Sequence, residues 1–262
     1  MDLQLPGRYY RMYPPEAYLG YAEETLSLRL DQTAFVLIDV YGLGYSPGEP
    51  EPARPALFYA GSTEIERRVM VNCIKPALEA ARRIGMPVIY VNNANQMVAS
   101  QQSAFGSLLV RTHGLTVEER WETDPVEFRF SKLVEPRPGE YIVRKQMYSG
   151  FFETCLESLL RNLQIKNLVA MGFAANACVQ ATLTDALFRN YRVVLLRDCT
   201  AAMEYHDTIG EQKITRDVVR HVEAFLGYTA TSSDFISSCA RFAVATLTFR
   251  PLSPTIGHSN RH

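Results

Sequence analysis

The feature that most constrains the fold is an uninterrupted apolar run that ends in an acid. Residues Ala34 to Ile38 read Ala-Phe-Val-Leu-Ile, and Asp39 follows directly. A strand with one face in water alternates apolar and polar residues, whereas a strand buried on both faces is apolar throughout, as in parallel sheets. The run therefore predicts an interior strand of a parallel sheet, with Asp39 at its carboxyl end.

Similar runs recur along the chain, with helical patterns between them. Further strands are predicted at 87–91, 140–145, 167–172 and 192–198. Helical periodicity occurs over 154–163 and 176–190, and in two segments that open with the capping-box patterns Thr63-x-x-Glu66 and Thr208-x-x-Glu211. Pro76 is expected to interrupt the first of these two helices. The alternation predicts a single-domain, three-layer α/β/α fold with a mostly parallel open sheet.

Three segments fall outside this alternation. Residues 1–29, with five tyrosines between Tyr9 and Tyr21, are predicted to form an N-terminal arm that either wraps a neighbouring subunit or is mobile. Residues 246–262 are predicted to form a C-terminal tail, which leaves 30–245 as the domain. The stretch 92–138 is polar and weakly periodic, which is typical of lids and binding loops.

The composition argues against several classes of function. A formal net charge of −1 over 262 residues gives no field that would attract nucleic acid or an anionic membrane. No run of about 18 apolar residues is present, so no transmembrane helix is expected. The first residues lack the order of a signal peptide, which predicts a cytoplasmic location. Five cysteines without a C-x-x-C pair predict free thiols rather than disulfides or a zinc site.

Three reactive side chains lie at or just beyond the carboxyl ends of predicted strands: Asp39, Lys145 and Cys178. Each alone has an ordinary explanation, as a turn cap, a solvated lysine or a small core residue. In open α/β sheets, however, functional groups gather beyond the carboxyl ends of the strands. The coincidence of all three at one edge favours a nucleophile with two partners.

The turn from Gly172 to Cys178 leads from a strand into a helix and consists mostly of small residues. A helix N-terminus carries free N–H groups and partial positive charge, which are expected to lower the pKa of a thiol there and to bind an oxyanion. Lys145 adds positive charge. Asp39 can accept the thiol proton and later deliver it to a leaving amine.

These segments resemble the isochorismatase-like cysteine hydrolases. The similarity runs through 34–39, 141–145, 172–185 and 197–202, in the family's order, and spans roughly residues 30 to 230. The resemblance implies that Asp39 is the general acid and base, Lys145 its electrostatic partner and Cys178 the nucleophile. It also implies a cis peptide between Phe173 and Ala174, an oxyanion hole formed by the N–H groups of Ala174 and Cys178, and a homo-oligomer, either a dimer or a tetramer.

The stretch from Lys145 to Phe152, Lys-Gln-Met-Tyr-Ser-Gly-Phe-Phe, is similar to that of ureidoacrylate amidohydrolases and of biuret and triuret hydrolases. The resemblance implies a small ureido or carbamoyl substrate and no cofactor. Nicotinamidases, the metal-binding branch, carry an Asp-x-His motif that is absent here, so no metal is expected. Isochorismatases lack the nucleophilic cysteine.

Five residues are candidates for substrate contact: Tyr41, Asn93, Tyr148, Phe151 and Gln212. A turn role for Asn93 and an exposed first-turn position for Gln212 compete with this function. The pocket is expected to be small and lined by hydrogen-bonding side chains from the 41–46, 92–96 and 146–151 loops. Two alternatives stay open at this point: an amidase for another carboxamide, such as a nicotinamide-like ring, and a non-catalytic binding protein that keeps the fold.

Overall fold

The computed structural model describes residues 2–51, 57–94, 103–114 and 129–248. Over these residues eight strands form one sheet in the order β2-β1-β8-β7-β6-β3-β4-β5. Strands β3 to β8 pair in parallel, whereas β1 pairs antiparallel with β2 and β8. The predicted mostly parallel α/β sheet is thereby confirmed. The strands are β1 Asp2–Arg11, β2 Gly20–Arg29, β3 Thr33–Ile38, β4 Val88–Asn93, β5 Tyr141–Lys145, β6 Asn167–Phe173, β7 Arg192–Ala201 and β8 Tyr228–Ala230.

Helices cover both faces of the sheet, which explains the unbroken apolar run of β3. Phe35 and Leu37 pack in one core cluster, whereas Val36 and Ile38 pack in another on the opposite face. None of the helices within the described ranges is both long enough and apolar enough to cross a bilayer. The helices are α1 Ser62–Val69, α2 Lys75–Arg83, α3 Ala104–His113, α4 Leu156–Asn162, α5 Gln180–Phe188, α6 Lys213–His221 and α7 Ser232–Thr248.

The first capping-box prediction is wrong. Helix α1 begins after Gly61, and no side chain caps it. The Glu66 side chain is turned into the protein instead, where it is 1% exposed. Its carboxylate accepts hydrogen bonds from the Leu57 N–H and the Tyr45 hydroxyl, each at 3.1 Å. Glu66 therefore ties the loop after β3 to the helix, because a buried carboxylate needs donors. Beyond α1, a π-helical turn over Met70–Ile74 interrupts the helix ahead of Pro76, as predicted.

The second capping-box prediction is also wrong. Thr208 precedes a short 3-10 turn, Ile209–Glu211, and makes no side-chain cap there. Helix α6 is capped by Glu204, whose carboxylate accepts the N–H groups of Ile214 at 3.1 Å and Thr215 at 2.9 Å. These bonds help to lower the pKa of Glu204 against the opposing effect of burial. A carboxylate at a helix N-terminus is favoured by both the free N–H groups and the helix dipole.

Residues 2–29, which the sequence pattern set apart as an arm, form the hairpin of β1 and β2 at one side of the main sheet. Leu3 lies opposite Leu28, and Leu5 lies opposite Leu26. All four side chains are buried in the same core cluster as Phe35. The leucines of the hairpin therefore complete the core of its own chain, and contact of the hairpin with a neighbouring subunit stays a prediction. Of the predicted tail, residues 246–248 end α7, and 249–262 lie outside the described residues.

Candidate active site

Four neighbouring strands bring polar side chains together at their carboxyl edge. In the spatial order β6-β3-β4-β5 they supply Cys178, Asp39, Asn93 and Lys145. All four residues are buried, and Lys145 is fully so. The long lysine side chain lets the last strand of this set act on residues two and three strands away, since neighbouring strands lie about 4.8 Å apart.

Lys145 connects the acid and the thiol. Its Nζ lies 2.8 Å from Asp39 Oδ2 and donates to Cys178 Sγ at 3.2 Å. It also donates to the Met147 carbonyl oxygen at 3.2 Å, which fixes the turn after β5. Burial alone would lower the pKa of Lys145, but the Asp39 carboxylate and the Cys178 sulfur raise it above its ordinary value. The lysine is therefore a buried cation.

Asn93 connects the other members of the site. Its backbone N–H donates to Asp39 Oδ1 at 2.9 Å. Its side-chain oxygen accepts a short hydrogen bond from Lys145, and its side-chain nitrogen donates to the Tyr41 hydroxyl at 2.9 Å. These three bonds hold Asp39, Lys145 and Tyr41 in fixed relation to one another. The structure thus places Asn93 as a scaffold within the cluster and as part of the wall of the cavity described below.

A sharp bend after β6 carries Cys178. Gly172 has φ of +121°, and a Cβ atom on it would lie 1.9 Å from the Ile38 carbonyl oxygen, so only glycine fits. The cis peptide that the family resemblance implied between Phe173 and Ala174 is present. A π-helical turn, Ala175–Val179, then leads into α5. Cys178 lies in the first turn of this helical segment, but the oxyanion hole stays a prediction.

The pKa of Cys178 differs in direction from the prediction. Burial and, after it, the Asp39 carboxylate raise it to about 12, and Lys145 only partly opposes this. The helix N-terminus was expected to favour the thiolate, but Cys178 is only 8% exposed, and a buried anion is costly. The resting group is therefore a thiol beside a carboxylate–ammonium pair, so a base must remove its proton during attack.

A cavity opens onto Asp39 and Cys178. The three predicted loops, 41–46, 92–96 and 146–151, all contribute to its described lining, but rings and aliphatic side chains outnumber the hydrogen-bonding ones expected there. Phe105 lies edge-on to Tyr148, with ring centroids 5.6 Å apart, and Phe58 packs against His113 at 4.5 Å. The aromatic and apolar lining residues are Tyr41, Tyr45, Leu57, Phe58, Phe105, Leu109, Met147, Tyr148, Phe173, Ala174, Ala177 and Met203.

The structure brings some predicted contact residues to this cavity and not others. Tyr41, Asn93 and Tyr148 line it. Phe151 does not, because it is buried in a core cluster and stacks on Tyr191 at 6.0 Å. Gln212 does not either; it is a left-handed residue, with φ of +49°, at the start of α6. Phe151 and Gln212 are therefore placed away from the cavity that they were predicted to line.

Two contributors to the cavity are not among the five candidate contact residues. Gln146, which directly follows Lys145 in the predicted 146–151 loop, lines it. Helix α3 contributes Phe105, Leu109 and His113, which are spaced four residues apart and so share one helix face. A spacing of four residues between apolar side chains indicates a helix. The polar, weakly periodic stretch 92–138 around it is instead typical of loops. Within the described part of the chain, no group of three or more His, Cys, Asp or Glu residues is arranged to hold a metal ion.

Comparison with known proteins shows the family of the chain. The family model of the isochorismatase domain matches residues 55–213. The chain belongs to the isochorismatase family. The chain is 30% identical over 223 residues to ureidoacrylate amidohydrolase RutB of Azorhizobium caulinodans. The aligned region covers 81% of this chain and 92% of that protein.

One further relative supports the family assignment, and one solved structure supports the fold. The RutB protein of Rhizobium rhizogenes is 31% identical over 229 residues, covering 84% of this chain and 88% of that protein. A cysteine hydrolase from Pseudomonas syringae pv. phaseolicola shares the fold, with a TM-score of 0.64 and 23% identity over 82% of this chain and 95% of that one. The family and the fold class predicted from the sequence are thereby confirmed.

Proposed function

We propose that this isochorismatase-family hydrolase, which acts on amide carbon–nitrogen bonds, cleaves a small ureido or carbamoyl compound with Cys178 as its nucleophile. The observation that carries the proposal is the position of Lys145 Nζ, 2.8 Å from Asp39 Oδ2 and 3.2 Å from Cys178 Sγ. Asp39 and Cys178 both line the cavity. Two relatives, 30% and 31% identical to this chain, are named ureidoacrylate amidohydrolases. A cytoplasmic location and a dimer or tetramer remain predictions.

The first half of the reaction forms a covalent intermediate. Sγ of Cys178 attacks the substrate carbonyl carbon while the Asp39 carboxylate takes the thiol proton, which is necessary because burial keeps the thiol protonated. Lys145 stabilises the negative charge that develops on the sulfur and on the carbonyl oxygen. The carbon–nitrogen bond then breaks, and Asp39 returns the proton to the departing amine. A thioester remains, or a thiocarbamate if the substrate is a ureide.

The second half releases the product. Water attacks the carbonyl carbon of the intermediate, and Asp39 accepts a proton from that water. The carbon–sulfur bond breaks, and the sulfur recovers a proton, so the enzyme returns to its initial state. Lys145 keeps its charge throughout, since its carboxylate and sulfur neighbours raise its pKa.

The test is ammonia release from a panel of ureides and carboxamides, including ureidoacrylate, biuret and N-carbamoyl amines. Cys178→Ser should lower kcat by at least about 10³-fold, because the nucleophile is lost. The matched control is Cys239→Ser, since Cys239 is also buried but does not line the cavity. This control should keep its activity wherever it remains folded. Cleavage at the wild-type rate by Cys178→Ser would refute the proposal.

A second candidate function has support from the cavity wall. The rings of Phe58, Phe105 and Tyr148 offer planar apolar surface that a carboxamide carried on a ring would cover, as in nicotinamide. The same cysteine chemistry would serve that substrate. The panel therefore includes pyridine and benzene carboxamides. A higher kcat/KM for these than for every ureide would select the second function.

A further inference from the structure

Gln146 carries an unsatisfied polar atom at the cavity. Its Oε1 is buried and has no hydrogen-bond partner in the described structure, and the residue lines the cavity beside Asp39 and Cys178. A buried carbonyl oxygen without a donor costs free energy, so native structures seldom retain one without a reason. A bound ligand that brings an N–H group would remove this cost.

The backbone on both sides of Gln146 is anchored, so the side chain starts from a fixed position. The Lys145 carbonyl oxygen accepts a hydrogen bond from the Ala94 N–H at 3.0 Å. On the other side, the Met147 carbonyl oxygen accepts from Lys145 Nζ at 3.2 Å. The orientation of this turn is thus tied to the same ammonium group that contacts Cys178. A donor held by Gln146 would have a defined position relative to the thiol.

Several other polar groups of the described cavity wall are already engaged. The side-chain amide of Asn93 bonds to both Lys145 and Tyr41, and the Tyr45 hydroxyl donates to Glu66. Asp39 Oδ1 accepts from the Asn93 N–H. Asp39 Oδ2 makes no hydrogen bond to the described residues either, but it faces the Lys145 ammonium at 2.8 Å. Gln146 Oε1 is an acceptor that still needs a donor. An amide or ureide nitrogen that bears hydrogen supplies such a donor, whereas an ester oxygen does not.

We propose that Gln146 Oε1 accepts a hydrogen bond from the N–H of the substrate's carbamoyl group and thereby selects amides and ureides over esters of the same shape. The inference rests on the proposed function, because it assigns a substrate contact in that reaction. Gln146 is accordingly a specificity-determining residue. It acts on the substrate nitrogen, while Cys178, Asp39 and Lys145 act on the bonds that change.

The test compares a primary amide with its methyl ester in the wild type, Gln146→Met and Gln146→Glu. Methionine keeps the length but offers no strong acceptor, whereas glutamate keeps an acceptor. Gln146→Met should lower kcat/KM for the amide by about 10- to 100-fold and change the ester value by less than about threefold. Gln146→Glu should restore the amide-to-ester ratio. An equal effect of Gln146→Met on both substrates, or no effect, would overturn the inference.

Two further readouts keep the result interpretable. In a Cys178→Ala background, which cannot turn over, Gln146→Met should weaken binding of the amide, measured by calorimetry, and leave binding of the ester unchanged. The thermal unfolding midpoint of the double variant should equal or exceed that of Cys178→Ala alone, because Gln146→Met removes an unsatisfied buried acceptor. A fall in the midpoint would indicate a structural role instead. Failure of the proposed function would look different: the wild type itself would show no Cys178-dependent cleavage of any amide.

Discussion

At the scale of single residues, neighbouring groups shift the pKa of one thiol in opposite directions. Burial and the Asp39 carboxylate raise the pKa of Cys178, and Lys145 lowers it. An enzyme that keeps its nucleophile protonated at rest protects it from reaction with solutes. The Asp39 carboxylate favours the protonated thiol and is also the base that removes its proton. Loss of the carboxylate should therefore make thiolate formation easier and still abolish turnover.

Asp39→Asn and Lys145→Met should shift the reactivity of Cys178 in opposite directions. Asp39→Asn removes the charge that raises the thiol pKa, so alkylation by iodoacetamide should reach half its maximum at lower pH, although turnover is lost. Lys145→Met removes the charge that lowers it, so the alkylation profile should move to higher pH. Peptide mass spectrometry gives the rate at Cys178, with the exposed Cys155 as internal reference. Shifts of the same sign in both variants would contradict this electrostatic account.

Site residues at the carboxyl ends of strands could be predicted from the sequence. Asp39 and Lys145 follow from apolar runs that stop at a charge, and the parallel sheet then brings their side chains together. Asn93 ends β4, between those strands, but its role as a hydrogen-bonded hub depends on side-chain directions that no pattern encodes. The buried thiol misled the prediction for a physical reason. A helix terminus favours a thiolate, but the sequence does not say how much water reaches the sulfur.

At the scale of elements, long apolar strands were the predictable part. The strand predictions near 34–39, 87–91, 140–145 and 167–172 match β3 to β6 within a residue or two. Helix α3 was missed because it lies in a polar stretch. The two capping boxes failed because their glutamates make other contacts, and Glu211 pairs with Arg216 at 2.9 Å. Glu66 is buried against Leu57 and Tyr45, and burial of a carboxylate is a tertiary property.

Element packing gives a prediction at Gly172, where β6 passes closest to β3. Alanine there would place a Cβ atom 1.9 Å from the Ile38 carbonyl oxygen on a backbone with φ of +121°. Gly172→Ala should therefore lower the free energy of unfolding by about 3 kcal/mol or more, and should lower kcat because the bend that carries Cys178 must move.

Denaturant unfolding measures the effect of this change. The matched control is Gly210→Ala, since nothing lies within 4 Å of a Cβ atom at Gly210. That control should change stability by no more than about 0.5 kcal/mol. Equal stabilities for the two variants would show that the close approach of β6 to β3 is not required by the fold.

At the scale of the whole molecule, the boundary of the packing unit differs from the boundary of the family resemblance. The resemblance begins near residue 30, and the matched domain begins at residue 55. The core begins earlier, because β1 and β2 extend the sheet and bury their leucines beside Phe35. Leucines alternate in β1 and β2, which indicates one buried face in each strand, but this pattern alone does not show which sheet the strands join.

This difference leads to the prediction that Leu5 stabilises the entire domain, although it lies far from Cys178 in sequence. Leu5 is fully buried opposite Leu26. Leu5→Ala removes that packing and leaves a cavity, so the free energy of unfolding should fall by about 2 to 5 kcal/mol in a single cooperative transition. Tyr13→Ala, in the same hairpin at an 83% exposed position, should change it by less than about 0.5 kcal/mol. If Leu5→Ala behaved like Tyr13→Ala, or if the hairpin melted separately from the rest, the N-terminal strands would be an accessory to the hydrolase domain and not part of it.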